Sequence, residues 1–176
     1  ANAWTKNAAL ILSDYLTTSR LRGGLGATYA TEIDETALIA AANLCDESVA
    51  LNTSPVTYQN RYTISGVFDW SETPENLIRQ MAGAMAGLAI ASGGQWRILP
   101  GAWRASALTI TDADFLSPIQ VQTRLSMREL ANGLKGTYIG PLNNWMGGDF
   151  PPVAGTSYLT EDNNERIWKD IHLPFT

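Results

Sequence analysis

One cysteine, Cys45, and one histidine, His172, stand in a chain of 176 residues. A single thiol excludes an intramolecular disulfide and any zinc site built from several thiolates, so nothing here needs an oxidising compartment. A single imidazole, without a second ligand or a positioned nucleophile, leaves no histidine-based catalytic constellation to read. Charge is scarce as well: Asp, Glu, Lys and Arg make up 16%, against about 25% in ordinary soluble domains. So thin a charged surface points to faces covered by other chains or by the rest of a longer polypeptide. Lysines and arginines do not cluster and the net charge is −5, which excludes the concentrated basic surface that nucleic acid requires. No apolar run approaches the ~18 residues of a membrane span. The opening ANAWTKNAAL has no charged n-region followed by an apolar core, so synthesis in the cytoplasm without membrane insertion is expected. The chain starts without Met and stops at HLPFT just as an apolar alternation builds, which reads as a piece of a larger protein.

What the chain does have is apolar pattern. Hydrophobic residues make up 45%, enough for a single core in a length typical of one domain. Ala8, Ile11, Leu12, Tyr15 and Leu16 recur at helical spacing and predict a helix that ends among Thr17, Thr18 and Ser19, whose side chains compete with it. Asp34 is placed to cap a second helix, with Ile33 and Leu38 as a hydrophobic staple and Leu38, Ala41, Ala42 and Cys45 as its inward stripe. Residues 62–70, YTISGVFDW, alternate with period two and predict a strand with Tyr62, Ile64, Phe68 and Trp70 on one face. Thr73-Pro74-Glu75 opens a third helix, with Leu77, Met81, Met85 and Leu88 along one side. Ala82, Gly83, Ala84, Ala86 and Gly87 keep that helix thin enough for close packing.

Ser92-Gly93-Gly94 predicts a turn, followed by a strand at 95–99 and a neighbouring strand at 107–111. Residues 119–125 and 134–139 are further strand candidates, and 166–173 alternate as a last strand. Between them 140–155, GPLNNWMGGDFPPVAG, is rich in Gly, Pro and Asn and predicts no regular element. The class is α+β: a helical pair, then a strand-helix-strand-strand unit with a mostly antiparallel sheet and further short strands. The expected organisation is a helical part at 1–60, an α+β core at 61–140 and a loop-rich extension at 141–176, together one compact domain.

Candidate chemistry is sparse. The stretch LRGGLGATY carries Gly23, Gly24 and Gly26 beside Arg20 and Arg22, which suggests a phosphate cradle. It lacks the Lys-Ser/Thr of a phosphate loop, lies between helices, and has Tyr29 where a dinucleotide fingerprint has its third glycine, so a turn or joint is expected. Asp112 and Asp114 in TITDADF are the acid/base or cation candidates, but they lack the spacing and closing glutamate of a calcium loop, and as strand-end residues they would bond nearby amides. His172 is read as a strand residue on an outward face, Cys45 as a small core hydrophobe and Met81 and Met85 as core filling. Trp145 and Met146, in the 140–155 loop, suit a contact loop, since interfaces are enriched in both residue types. Asn52-Thr53-Ser54 matches a glycosylation acceptor without a secretory signal to use it. No catalytic, cofactor-binding or metal residue is assigned, and no cofactor is expected.

The order of segments carries a resemblance. NAALILSDYLTTSRLRGGLGA followed by EIDETALIAAANLCDE resembles the tail tip attachment and baseplate hub proteins of long-tailed bacteriophages and prophages. Asn7-Ala8-Ala9, Asp14-Tyr15-Leu16-Thr17, Gly24-Leu25-Gly26, Ile33-Asp34 and Cys45-Asp46-Glu47 stand at the matching places. RYTISGVFDWSETPENLIRQMAGAMAGLAIASGGQWRILPG resembles that family's strand, long helix and hairpin. ELANGLKGTYIGP resembles its Asn-x-x-Lys/Glu-x-x-Tyr/Trp strand, and IHLPFT its closing strand. The departures are Ala9, where a proline-like break is common, and the NNWMGGDFPPVAG insertion. The resemblance implies a structural virion protein without catalytic residues in this piece. It would be trimeric in the full-length assembly and placed at the distal end of the tail between the tail tube, distal tail components and receptor-binding parts. The rival expectations are a wall-degrading hydrolase module using Asp112 or Asp114, and a host-surface binding module.

Overall fold

The computed structural model describes residues 4–51, 54–69, 71–106, 108–117, 120, 121, 123, 126, 129–140 and 143–174. The fold is α+β. Helix α1 (Ala8–Thr17) starts at Asn7, whose side-chain oxygen accepts from the Ala9 and Leu10 amides. A 3₁₀ turn (Arg20–Arg22) and a single helical turn, α2 (Tyr29–Glu32), lead to α3 (Glu35–Cys45), capped by Asp34 through the Ala37 amide as the sequence predicts. A short antiparallel pair, β1 (Ser48–Ala50) with β2 (Tyr58–Asn60), follows. Helix α4 (Pro74–Ala84) is capped by Thr73. The hairpin β3 (Leu88–Ser92) and β4 (Gln95–Leu99) then turns on Gly93 and Gly94, both at positive φ.

Farther on, β5 (Gly133–Ile139) pairs antiparallel with β6 (Gly147–Asp149) and β7 (Val153–Ala154). Helix α5 (Thr156–Glu161) precedes β8 (Trp168–Leu173), which also pairs with β5. The chain divides into two compact units. The first comprises residues 1–101, 137–149 and 172–176, the second 102–136 and 150–171.

The core of the first unit joins α1, α3, α4 and β4. Leu12, Leu16, Cys45 and Met85 are fully buried, with Leu38, Ala41, Leu77, Met81 and Ile98 beside them. Asn7 is buried among these apolar groups, and its amide nitrogen donates to the Ala42 carbonyl 2.9 Å away, so one side chain both caps α1 and ties it to α3.

Several expectations need correction. Residues 62–69 form no strand. The Ile64 amide donates to the Lys6 carbonyl, and Thr63 bridges Asn7, so the segment is pinned to the chain entering α1 instead of to a sheet. Trp70 lies outside the described residues. Helix α4 stops before Leu88, which opens β3 and is 63% exposed. The Gly87 amide bonds the Ala82 carbonyl and the Ala86 amide that of Gly83, with Ala86 left-handed at φ 47°. That is the reverse turn of a helix C-terminus. A Cβ on Gly87 would lie 2.4 Å from the Leu99 carbonyl oxygen, so the hairpin packs too closely for the helix to continue.

Residues 108–111 form no strand, while 107 and most of the 119–125 candidate lie outside the described residues, as do Asn52 and Thr53 of the glycosylation triplet. The 140–155 stretch contains β6 and β7 where no element was expected. The strands expected at 134–139 and 166–173 are present as β5 and β8.

Candidate functional site

From Gly23 to Ala27 the glycine-rich stretch after α1 has no free amide to offer an anion. The Gly23 amide donates to Arg20, Gly24 to Ser19, Leu25 to Tyr15, Gly26 to Thr18 and Ala27 to Leu16, all at 2.8–3.2 Å. Anion cradles depend on consecutive free N–H groups, and here these donors close the end of α1. The glycines have a local reason. Gly23 and Gly26 sit at φ 86° and 76°, and a Cβ on Gly24 would lie 2.2 Å from the Thr18 carbonyl oxygen. Arg20 turns inward along the loop, its Nε donating to the Leu25 carbonyl.

Asp114 closes the 3₁₀ turn Asp112–Asp114. Its Oδ2 accepts from both the amide and the hydroxyl of Thr111 at 2.8 Å, and these bonds, the amide first, hold its carboxyl below the usual carboxylate range. A carboxyl so held is a poor proton donor at neutral pH. His172 is exposed on β8, with Nδ1 2.8 Å from the Thr137 hydroxyl. Cys45 is fully buried on α3, and burial raises its thiol pKa, so the reactive thiolate is disfavoured. No group of three or more His, Cys, Asp or Glu side chains suited to a metal ion occurs among the described residues.

The positions that carry the resemblance make internal bonds. Asp34 caps α3 and also meets Arg97 of β4 at 2.8 Å. Its carboxyl is lowered chiefly by the Ala37 amide, with Arg97 adding to the effect. Asp46 accepts from the Asn60 side chain, and Glu47 pairs with Arg61 at 3.0 Å, fastening the end of α3 to β2 and the residue after it. Asn132, first residue of the Asn-x-x-Lys-x-x-Tyr pattern, is buried. It donates to the Asp162 carboxylate at 2.8 Å and to the Glu165 carbonyl at 2.7 Å, and accepts from the Ile167 amide at 2.9 Å.

The sequence reading passed over a cavity of about 310 Å³ in the first unit. The rings of Trp4, Phe68 and Trp145 line it, with Ile64 and Met81 as buried wall and Ser65 and Gly66 contributing polar groups. Tyr15 meets the Phe68 ring edge-on, with centroids 5.9 Å apart. Trp145 is half-exposed, and both it and Asn144 are left-handed, at φ 61° and 51°. Gly66, which interrupts the period-two pattern of 62–70, was the available signal that this segment is a loop.

No helix among the described residues is long and apolar enough to cross a membrane. Compared with known proteins, the chain matches no family model and no curated sequence.

Proposed function

We propose that the chain is a structural component of a bacteriophage or prophage tail tip or baseplate hub, assembling with copies of itself and with other tail proteins at the distal end of the tail tube. The observation that carries this reading is the stretch 102–121. It presents Trp103, Leu108, Ile110, Phe115, Leu116 and Val121 to solvent, and none of its described residues belongs to the hydrophobic core. So many large apolar side chains along one stretch are stabilised once another surface covers them. The ordered segment resemblance suggests the family, and the polar residues at its motif positions serve as caps and ties. In a virion the protein would be made in the host cytoplasm and end at the tail tip, where the family's usual arrangement is a homotrimer.

Antibodies raised against this chain should label the distal tip of tails in particles assembled from the source genome. Label absent from tails, or confined to heads, would sink the proposal. The hydrolase alternative is separated by assaying peptidoglycan release with the native chain and with Asp114→Asn. Hydrolysis abolished by that change would favour the enzyme reading over the structural one.

A further inference from the structure

We propose that the cavity lined by Trp4, Phe68 and Trp145 is a binding site for a neutral saccharide. This goes beyond the structural role above and does not depend on it. None of the residues lining the cavity is charged, so the lining offers no carboxylate for an ammonium ion, and the Lys6 ammonium beside it is taken up over the Trp4 ring. It does offer aromatic faces beside hydrogen-bonding groups. Trp4 is 81% and Trp145 49% exposed, while Ile64 and Met81 are each 3% exposed, so rings stand at the mouth of a closed apolar wall. Among the lining residues, the backbone N–H groups of Ser65 and Gly66 and the Ser65 hydroxyl have no hydrogen-bond partner among the described residues.

A pyranose matches both halves of this lining. Its C–H face stacks on the electron-rich face of an indole, and its hydroxyls both donate and accept. A purely apolar ligand would leave the Ser65 and Gly66 groups unanswered, and burying them without a partner is unfavourable. The volume is at the lower end of ordinary small-ligand pockets, which span about 300–1,000 Å³, and suits a short oligosaccharide end. Phe68 is steadied by Tyr15, and Lys6 stands over the Trp4 ring at 5.5 Å, so two of the three rings have supporting contacts.

The test is titration of the whole chain with chitotriose, cellotriose and maltotriose, read by tryptophan fluorescence and by the NMR shifts of the indole Nε1–H groups. At least one trisaccharide should saturate at millimolar concentration and move the Trp4 and Trp145 signals. Trp145→Ala and Trp4→Ala should each weaken binding by about tenfold, the upper range for one aromatic contact. Leu21→Ala, more exposed than either tryptophan and away from the cavity, should leave it unchanged. Both tryptophans are exposed enough for the variants to fold, and the native-chain shifts decide the matter if one does not. Saturation by choline or by hexanol with no response to any of the three sugars would overturn the proposal. So would sugar binding that neither ring variant weakens.

Discussion

The first unit encloses Leu12, Leu16, Cys45, Met85 and Ile98 almost completely, whereas the buried described residues of the second are Asn132 and Gly133. Both units use a buried asparagine as a tie. In the first, Asn7 works inside an apolar core. In the second, Asn132 gathers Asp162, Glu165 and Ile167 with its side chain, while its backbone carbonyl accepts from Arg166 at 3.3 Å. Beside it the Arg166 guanidinium lies 5.6 Å from the Trp168 ring centroid, and a Cβ on Gly133 would lie 2.6 Å from that ring. Apolar burial tolerates small displacements because it has no preferred direction, but hydrogen bonds do not. The second unit should therefore open more readily, and its amides should exchange faster than those of α1 and α3.

The largest effect expected from breaking this contrast is in the first unit. Leu16→Ala empties a fully buried site and should cost about 2–5 kcal/mol, measured by chemical denaturation. A loss of only a few tenths would mean that the core is not the main support of that unit. Asn132→Ala should cost about 1–3 kcal/mol, the range for stranding buried polar partners. It should release the Ile167 amide to fast exchange while α1 stays protected. Equal loss of protection in both units would mean that they open together.

Smaller still is Ala86→Gly. It removes the strain of a left-handed alanine, about 1–2 kcal/mol, against the greater chain entropy of glycine, about 0.5–1 kcal/mol. A net gain below about 1 kcal/mol in unfolding free energy is expected, and a clear loss would contradict the φ of 47° at that position. The finest effect is read as pH dependence. Because Asp34 has a lowered pKa in the folded chain, its contribution is complete above the ordinary carboxylate range and fades as pH falls through the lowered value. The stability difference between the native chain and Asp34→Asn should shrink in acid. A difference flat across that range would show that neither the bond from the Ala37 amide nor the contact with Arg97 carries charge-dependent stability.

The caps at Asp34 and Thr73 and the Gly93-Gly94 turn were legible because each is completed within a few residues. Asp34 bonds Ala37 and Thr73 bonds Asn76. The inward stripe of α3 was legible for the same reason, with Leu38, Ala41 and Cys45 buried as their spacing predicts. The glycine loop could be assigned to a turn, but not its donors, because their acceptors are the carbonyls of Tyr15, Leu16, Thr18, Ser19 and Arg20, spread from the end of α1 into the turn after it. For 62–70 the alternation was real and Ile64 does face inward, yet period two reports only which side chains share a face. The three rings of the cavity stand far apart in sequence, and no local pattern unites Trp4 with Phe68 and Trp145.

Local chemistry, then, was enough to decide where α3 and α4 begin, where α1 ends, where the hairpin turns, and that one apolar core would form with a lone thiol inside it. Long-range packing decided that 62–69 pairs with the entry to α1, that α4 ends against the hairpin, and that Asn132 meets residues thirty positions away. The division follows from the reach of the forces. A cap or turn closes over three or four residues whatever the rest of the chain does, whereas a strand's neighbour and a pocket's walls depend on how distant segments exclude water together.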